Sequence, residues 1–76
     1  MPEHTYKIVR IVGSSGMGIQ DAVDNALARA SATLRNLDWF EVKEIRGAFA
    51  DQKPGWYQVT LDVGFRIEDP ADMMQE

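Results

Sequence analysis

From Trp56 to Ile67 the chain alternates without a break. Tyr57, Val59, Leu61, Val63, Phe65 and Ile67 fall on one face of an extended strand, and Trp56, Gln58, Thr60, Asp62, Gly64 and Arg66 on the other. A strand of this kind, running to about Glu68, reaches about 35 Å or more at 3.3 Å per residue and must bury its apolar face along that whole length. The cover lies upstream. Ile19, Ala22, Val23, Ala26, Leu27, Ala30, Leu34 and Leu37 recur at helical spacing over about five turns, or about 28 Å. Ser14 and Ser15 offer an N-cap, and Asp21 near the start and Arg35 near the end suit the helix dipole. The alanines in the stripe let a sheet approach closely.

Two further strands complete the pattern. Lys7–Val12 is β-branched and stops at Gly13, and it reads as a strand covered from two sides. A second strand runs from about Trp39 to Ala50, and Asp51-Gln52-Lys53-Pro54-Gly55 joins it to the third. Pro54-Gly55 fits a type II turn, because proline fixes φ and glycine supplies a positive φ. The expected fold class is α+β, a β-α-β-β subunit with a three-stranded antiparallel sheet wrapped on one long helix. The two hairpin arms outreach the helix, so the overhang needs burial between subunits, and an obligate homo-oligomer is expected.

The chain has 76 residues, near the lower end of what one hydrophobic core holds together, and it has no cysteine. Disulfides and thiolate metal sites are therefore excluded. Net charge is -4 with eight scattered basic residues, which argues against a nucleic-acid partner. The N-terminus lacks a basic start followed by an apolar run, and no segment approaches the roughly 18 apolar residues of a membrane span. A soluble, unprocessed, cytoplasmic protein with no membrane partner is the expectation, with residues 1–69 as one domain and 70–76 as a flexible acidic tail.

Catalytic groups are sparse. His4 is the single histidine, close to the terminus, and neither a nucleophile-base pair nor a metal-ligand cluster is present. The segment Gly13-Ser14-Ser15-Gly16-Met17-Gly18 joins a strand to a helix, where backbone N–H groups can hold a phosphate. Its spacing matches neither the dinucleotide fingerprint nor a P-loop, which leaves a plain turn as the alternative. The polar strand face is richer. Phe40 and Val42 claim the apolar side of the second strand, so Trp39 and Glu41 face the other way, in company with Gln58 and Trp56. Arg46 and Arg66 lie further along the two arms. An indole, an amide and a guanidinium are what a planar heteroaromatic ring carrying a phosphate needs, while packing of Trp39 against another subunit is the competing explanation.

The runs Ala28-Arg29-Ala30-Ser31, Thr33-Leu34-Arg35, Leu37-Asp38-Trp39-Phe40-Glu41-Val42, Ile45-Arg46-Gly47, Tyr57-Gln58-Val59 and Val63-Gly64-Phe65-Arg66 resemble the dodecins, small flavin-binding proteins. The opening His4-Thr5-Tyr6-Lys7 and Ile11-Val12-Gly13-Ser14-Ser15 also resemble that family, so the likeness covers nearly the whole chain. Gly16-Met17-Gly18, Trp56 and the Met-Met tail depart from the pattern.

The resemblance implies a hollow homododecamer that binds flavins as stacked pairs between the Trp39 side chains of two subunits, with Gln58 at the ring edge. It implies that Arg46, in its bacterial-type setting, favours FMN through the phosphate, with Arg66 assisting and with riboflavin or FAD as the alternative flavins. It further implies storage, buffering and photoprotective quenching without enzymatic turnover, and coenzyme A as an additional ligand in some bacterial members. A coenzyme A carrier or structural cage is an alternative. A tautomerase using Pro2 as an N-terminal base is another, although polar Glu3-His4-Thr5 suits its pocket poorly.

Overall fold

In the computed structural model, which describes residues 3–67, the elements run β1 (Thr5–Ser15), α1 (Ile19–Thr33), β2 (Leu37–Ala50) and β3 (Lys53–Ile67). The expected tail and Pro2 lie outside the described residues. The sheet order is β1-β3-β2 with both pairs antiparallel, so the most strongly alternating strand is the central one. The β-α-β-β architecture expected from the alternating pattern is the one adopted.

Small residues set the distance between helix and sheet. Ala22, Ala26 and Ala30 are buried on α1, and Ala22 and Ala26 meet Val59 and Leu61 of β3. On β1, Gly13 faces the helix, and a side chain there would run into the Ala22 carbonyl and the Ala26 methyl. Without a Cβ at 13 the helix can lie directly on β1. α1 packs chiefly on β1 and to a lesser extent on β3.

The helix is shorter than its apolar period. It ends at Thr33, because Leu34 is extended and Asn36 takes a left-handed φ of 60°, which asparagine tolerates. Ser31 and Thr33 hydroxyls bond back to the Ala28 and Arg29 carbonyls, a local competition that weakens the last turn. Leu34 and Leu37 thus continue the spacing outside the helix, and Arg35 cannot serve its dipole. At the other end the N-cap is Gly18 and no side chain caps it. Ser15 accepts from the Met17 N–H at 2.8 Å and donates to Asp21 at 2.6 Å. The protein's own carboxylate therefore occupies this strand-to-helix connection, which favours the plain-turn reading over an anion site.

β1 is longer than the expected Lys7–Val12 and is covered by the helix on one face only. β2 and β3 also start earlier than their apolar patterns, at Leu37 and Lys53. The hairpin turn is not at Pro54-Gly55. Ala50 pairs with Lys53, and the two loop residues Asp51 and Gln52 have φ of 56° and 66°, the left-handed pair of a type I′ turn. Gly55 instead sits at a shift in register between Ala48 and Phe49, where a side chain would press on Ala50.

Fifteen residues of α1 span about 22 Å, whereas fifteen of β3 span about 50 Å. The molecule is accordingly 57 Å long with a radius of gyration of 16.2 Å, against about 11 Å for a compact chain of this length. The cost falls on β2, whose helix-side residues Phe40, Ile45 and Phe49 are 52%, 53% and 79% exposed. An apolar stripe of that length needs another protein surface over it.

On the opposite face, Arg10 of β1 grips Asp62 of β3 through Nε–Oδ1 at 2.7 Å and Nη2–Oδ2 at 3.1 Å. These hydrogen bonds, together with the charges of Arg10 and Lys43, outweigh partial desolvation and hold the Asp62 carboxyl below its usual range. A depressed folded-state value means that the pair stabilises above the unfolded carboxylate value near about 3.9 and ceases to do so as pH falls through the folded value. Asp62→Asn is therefore expected to lower the denaturation midpoint at pH 7, with the gap to wild type closing on acidification below about pH 4; a gap independent of pH overturns the assignment. Gln52→Gly is expected to raise stability by about 1 kcal/mol in denaturant titrations, since glycine relieves the left-handed conformation. A loss instead would return the turn to Pro54-Gly55.

Candidate ligand-binding site

The sheet face away from the helix carries every candidate side chain. Register arranges them in rows across the three strands: Ile8, Gly64 and Trp39; Arg10, Asp62 and Glu41; Val12, Thr60 and Glu44; Ser14, Gln58 and Arg46. Placing Arg46 in its row requires a bulge. The shift between Val42 and Glu44 leaves Lys43 unpaired, so residues beyond it reverse their phase relative to Trp39. Strict alternation from Trp39 would have turned Arg46 toward the helix.

Trp39 has a built seat. The benzo half of its indole lies over Gly64, at the position a Cβ would occupy, and the Tyr6 ring meets it edge-on with centroids 5.3 Å apart. The floor at Gly64 and the wall at Tyr6 fix the indole against the sheet. It remains 40% exposed, so its outer face is available. Neither Gly64 nor Tyr6 was singled out from sequence, although a glycine interrupting a well-formed strand is a signal of close approach.

Arg66 stands at this same end and not further away. It is opposite Tyr6, and Asn36 brackets its backbone by accepting from its N–H at 3.0 Å and donating to its carbonyl at 3.4 Å. Its Nε is buried with no hydrogen-bond partner among the described residues. A cleft of about 240 Å³ between His4, Tyr6, Asn36, Leu37, Asp38 and Arg66 opens beside it. An orphaned guanidinium donor beside an exposed indole suits a planar ligand that bears an anionic group.

Gln58 and Arg46 form the other pair. Arg46 Nε donates to Gln58 Oε1 at 2.9 Å, and Gln58 Nε2 reaches Ser14 Oγ at 3.5 Å. Trp56 lies one row beyond, opposite Ala48. Six residue steps along β3 carry Gln58 to Gly64, or about 20 Å. Trp39 and Gln58 of one chain therefore share a face and cannot share one ring.

On the helix side, a second cleft of about 370 Å³ lies between Leu27, Ala28 and Ser31 of α1 and Leu37, Trp39, Phe40 and Val63 of the sheet. It marks where the short helix fails to cover β2. Among the described residues no helix is long and apolar enough to cross a membrane, and no group of three His, Asp or Glu side chains could hold a metal.

Gly64→Ala tests the seat. The added methyl displaces the indole, so the tryptophan emission spectrum of the assembled protein is expected to shift; an unchanged spectrum and an unchanged crystal position of Trp39 would refute the seating role.

The family model described as Dodecin matches residues 5–68. A dodecin from Thermus thermophilus is 56% identical over 64 residues, covering 84% of this chain and 93% of the relative. Solved structures agree. The dodecin from Streptomyces coelicolor superposes with a TM-score of 0.86 at 49% identity, covering 91% of this chain and 99% of that one. The dodecin from Streptomyces davaonensis gives 0.85 at 48%, covering 90% and 100%. Sequence, fold and the match along nearly the full length agree that this chain belongs to the dodecin family of small, self-associating, flavin-binding proteins.

Proposed function

We propose that the protein is a flavin store that takes FMN, or else riboflavin or FAD, at seams between copies of the chain, and performs no turnover. The observation that carries this reading is the Trp39 indole, seated on Gly64 with its outer face open, on the same sheet face as Gln58 but about 20 Å from it along β3. A ring that touches both must draw them from different chains. Homododecameric assembly with two-fold seams would bring Trp39 of one copy against Trp39 of another, and a stacked pair of flavins would fill the space between them.

The energetics favour two-sided cover. An aromatic ring buries about 150 to 250 Å², about 4 to 6 kcal/mol gross at 25 cal/mol per Å², while association costs at least about 4 kcal/mol. One indole face alone binds weakly. A second aromatic surface on the far side roughly doubles the gross term, and symmetry supplies it without another residue. Gln58 would meet the polar ring edge, and the Arg46 and Arg66 guanidinium groups would attract the phosphate. The indole, in contact with an excited flavin, can donate an electron and quench it, which makes storage protective.

The protein purified from its host is expected to carry a flavin chromophore, identified by its absorption and by chromatography of the released ligand. Titration of apoprotein into FMN is expected to quench flavin fluorescence, and Trp39→Ala to weaken binding by about 2 kcal/mol, or about thirtyfold. Unquenched flavin, or equal affinity in Trp39→Ala, would remove the basis of this reading. Coenzyme A alone in the extract would favour a carrier.

A further inference from the structure

Gln58 is held at both ends of its amide. Arg46 Nε donates to Oε1 at 2.9 Å from β2, and Nε2 lies 3.5 Å from Ser14 Oγ on β1. The three residues form one row across the sheet, set by the pairings of Arg46 and of Ser14 with Gln58. Two structural details fix that row. The bulge at Lys43 turns Arg46 onto this face, and Asn25 of α1 donates to the Ser14 carbonyl at 3.1 Å.

A guanidinium carries donors only. The amide atom that faces Arg46 must therefore be the oxygen, and the amide nitrogen must point toward Ser14. A free glutamine amide turns over readily and offers a ligand either end. This one does not. We propose that Arg46 is a positioning residue: it holds the Gln58 amide in one orientation, Oε1 toward β2 and Nε2 toward β1, and so sets the order in which acceptor and donor meet the edge of a bound ring.

The remaining Oε1 lone pair and the remaining Nε2 hydrogen are the groups left for a ligand, and their sequence along the sheet is fixed. A ring edge that alternates acceptor and donor fits in one polarity only. Fixing the amide beforehand also removes rotamer freedom that binding would otherwise have to remove. The Arg46 Nη groups make no hydrogen bond among the described residues, so a phosphate contact through Nη and the amide contact through Nε are separable. This inference rests on the flavin reading of the site, and the comparison of a ligand with and without phosphate tells the two roles apart.

The test titrates riboflavin and FMN into the assembled protein, following flavin fluorescence, with wild type, Arg46→Ala, Arg46→Lys, Gln58→Ala and the Arg46→Ala/Gln58→Ala double variant. Riboflavin lacks the phosphate. Arg46→Ala is expected to weaken it about fivefold, the effect of one net hydrogen bond. No further loss is expected when Gln58 is already alanine, and Arg46→Lys is expected to restore part of the affinity. Loss confined to FMN, or an equal riboflavin loss in the Gln58→Ala background, overturns the proposal. Where Arg46→Ala fails to assemble, Arg46→Met takes its place, with the same loss expected for riboflavin; no riboflavin loss overturns the proposal. If wild type binds neither ligand, the flavin reading fails, and crystal structures of wild type and Arg46→Met, which keeps most of the length of the side chain but has no donor, then decide the positioning role. An altered Gln58 side chain upholds it, and a Gln58 unmoved by the loss of the Nε contact overturns it.

Discussion

A helix of about 22 Å laid on a strand of about 50 Å is the constraint on which the rest of this molecule depends. The mismatch cannot be repaired within the chain, because α1 is spent on β1 and part of β3. What remains is an apolar band along β2, with Phe40, Ile45 and Phe49 open to solvent in the single chain. A protein of 76 residues has little other core to draw on, since the fully buried large side chains among the described residues are Leu61, Val59 and Val63. Self-association supplies the missing interior.

The two faces of the sheet divide the work. One is closed by alanines brought near by Gly13, and that contact depends on small side chains. The other is assembled from cross-strand rows in which each side chain is held by a neighbour: Trp39 by Gly64 and Tyr6, Asp62 by Arg10, Gln58 by Arg46. Rigid strands and not loops carry these groups, which favours fixed geometry over adaptability.

How much of this was legible in the sequence depends on whether a feature is local. Alternation from Tyr57 to Ile67 is local, and it gave the strand, its buried face and the position of Gln58 on the opposite one. The helix stripe gave α1 and its alanines, but Leu34 and Leu37 keep the same spacing after the backbone has turned at Asn36, so the pattern overran the element. Pro54-Gly55 has the composition of a turn, yet pairing of Ala50 with Lys53 puts the turn at Asp51-Gln52. Most consequentially, a period reports which face a residue occupies and not how far along the strand its partner lies. That Trp39 and Gln58 share a face was readable; their separation, the bulge at Lys43 that turns Arg46 to join Gln58, and the seat at Gly64 all needed the register.

The distance between Trp39 and Gln58 has a thermodynamic consequence. If a ligand must touch both, no single chain possesses an affinity for it, and occupancy becomes linked to subunit concentration. Whatever binds at the seam then acts as a clamp on the assembly, raising its melting temperature in proportion to the logarithm of free ligand, and dilution that loosens the particle discharges its cargo. Loading and cohesion become one equilibrium, so a cell short of the ligand would hold a less durable shell as well as an emptier one.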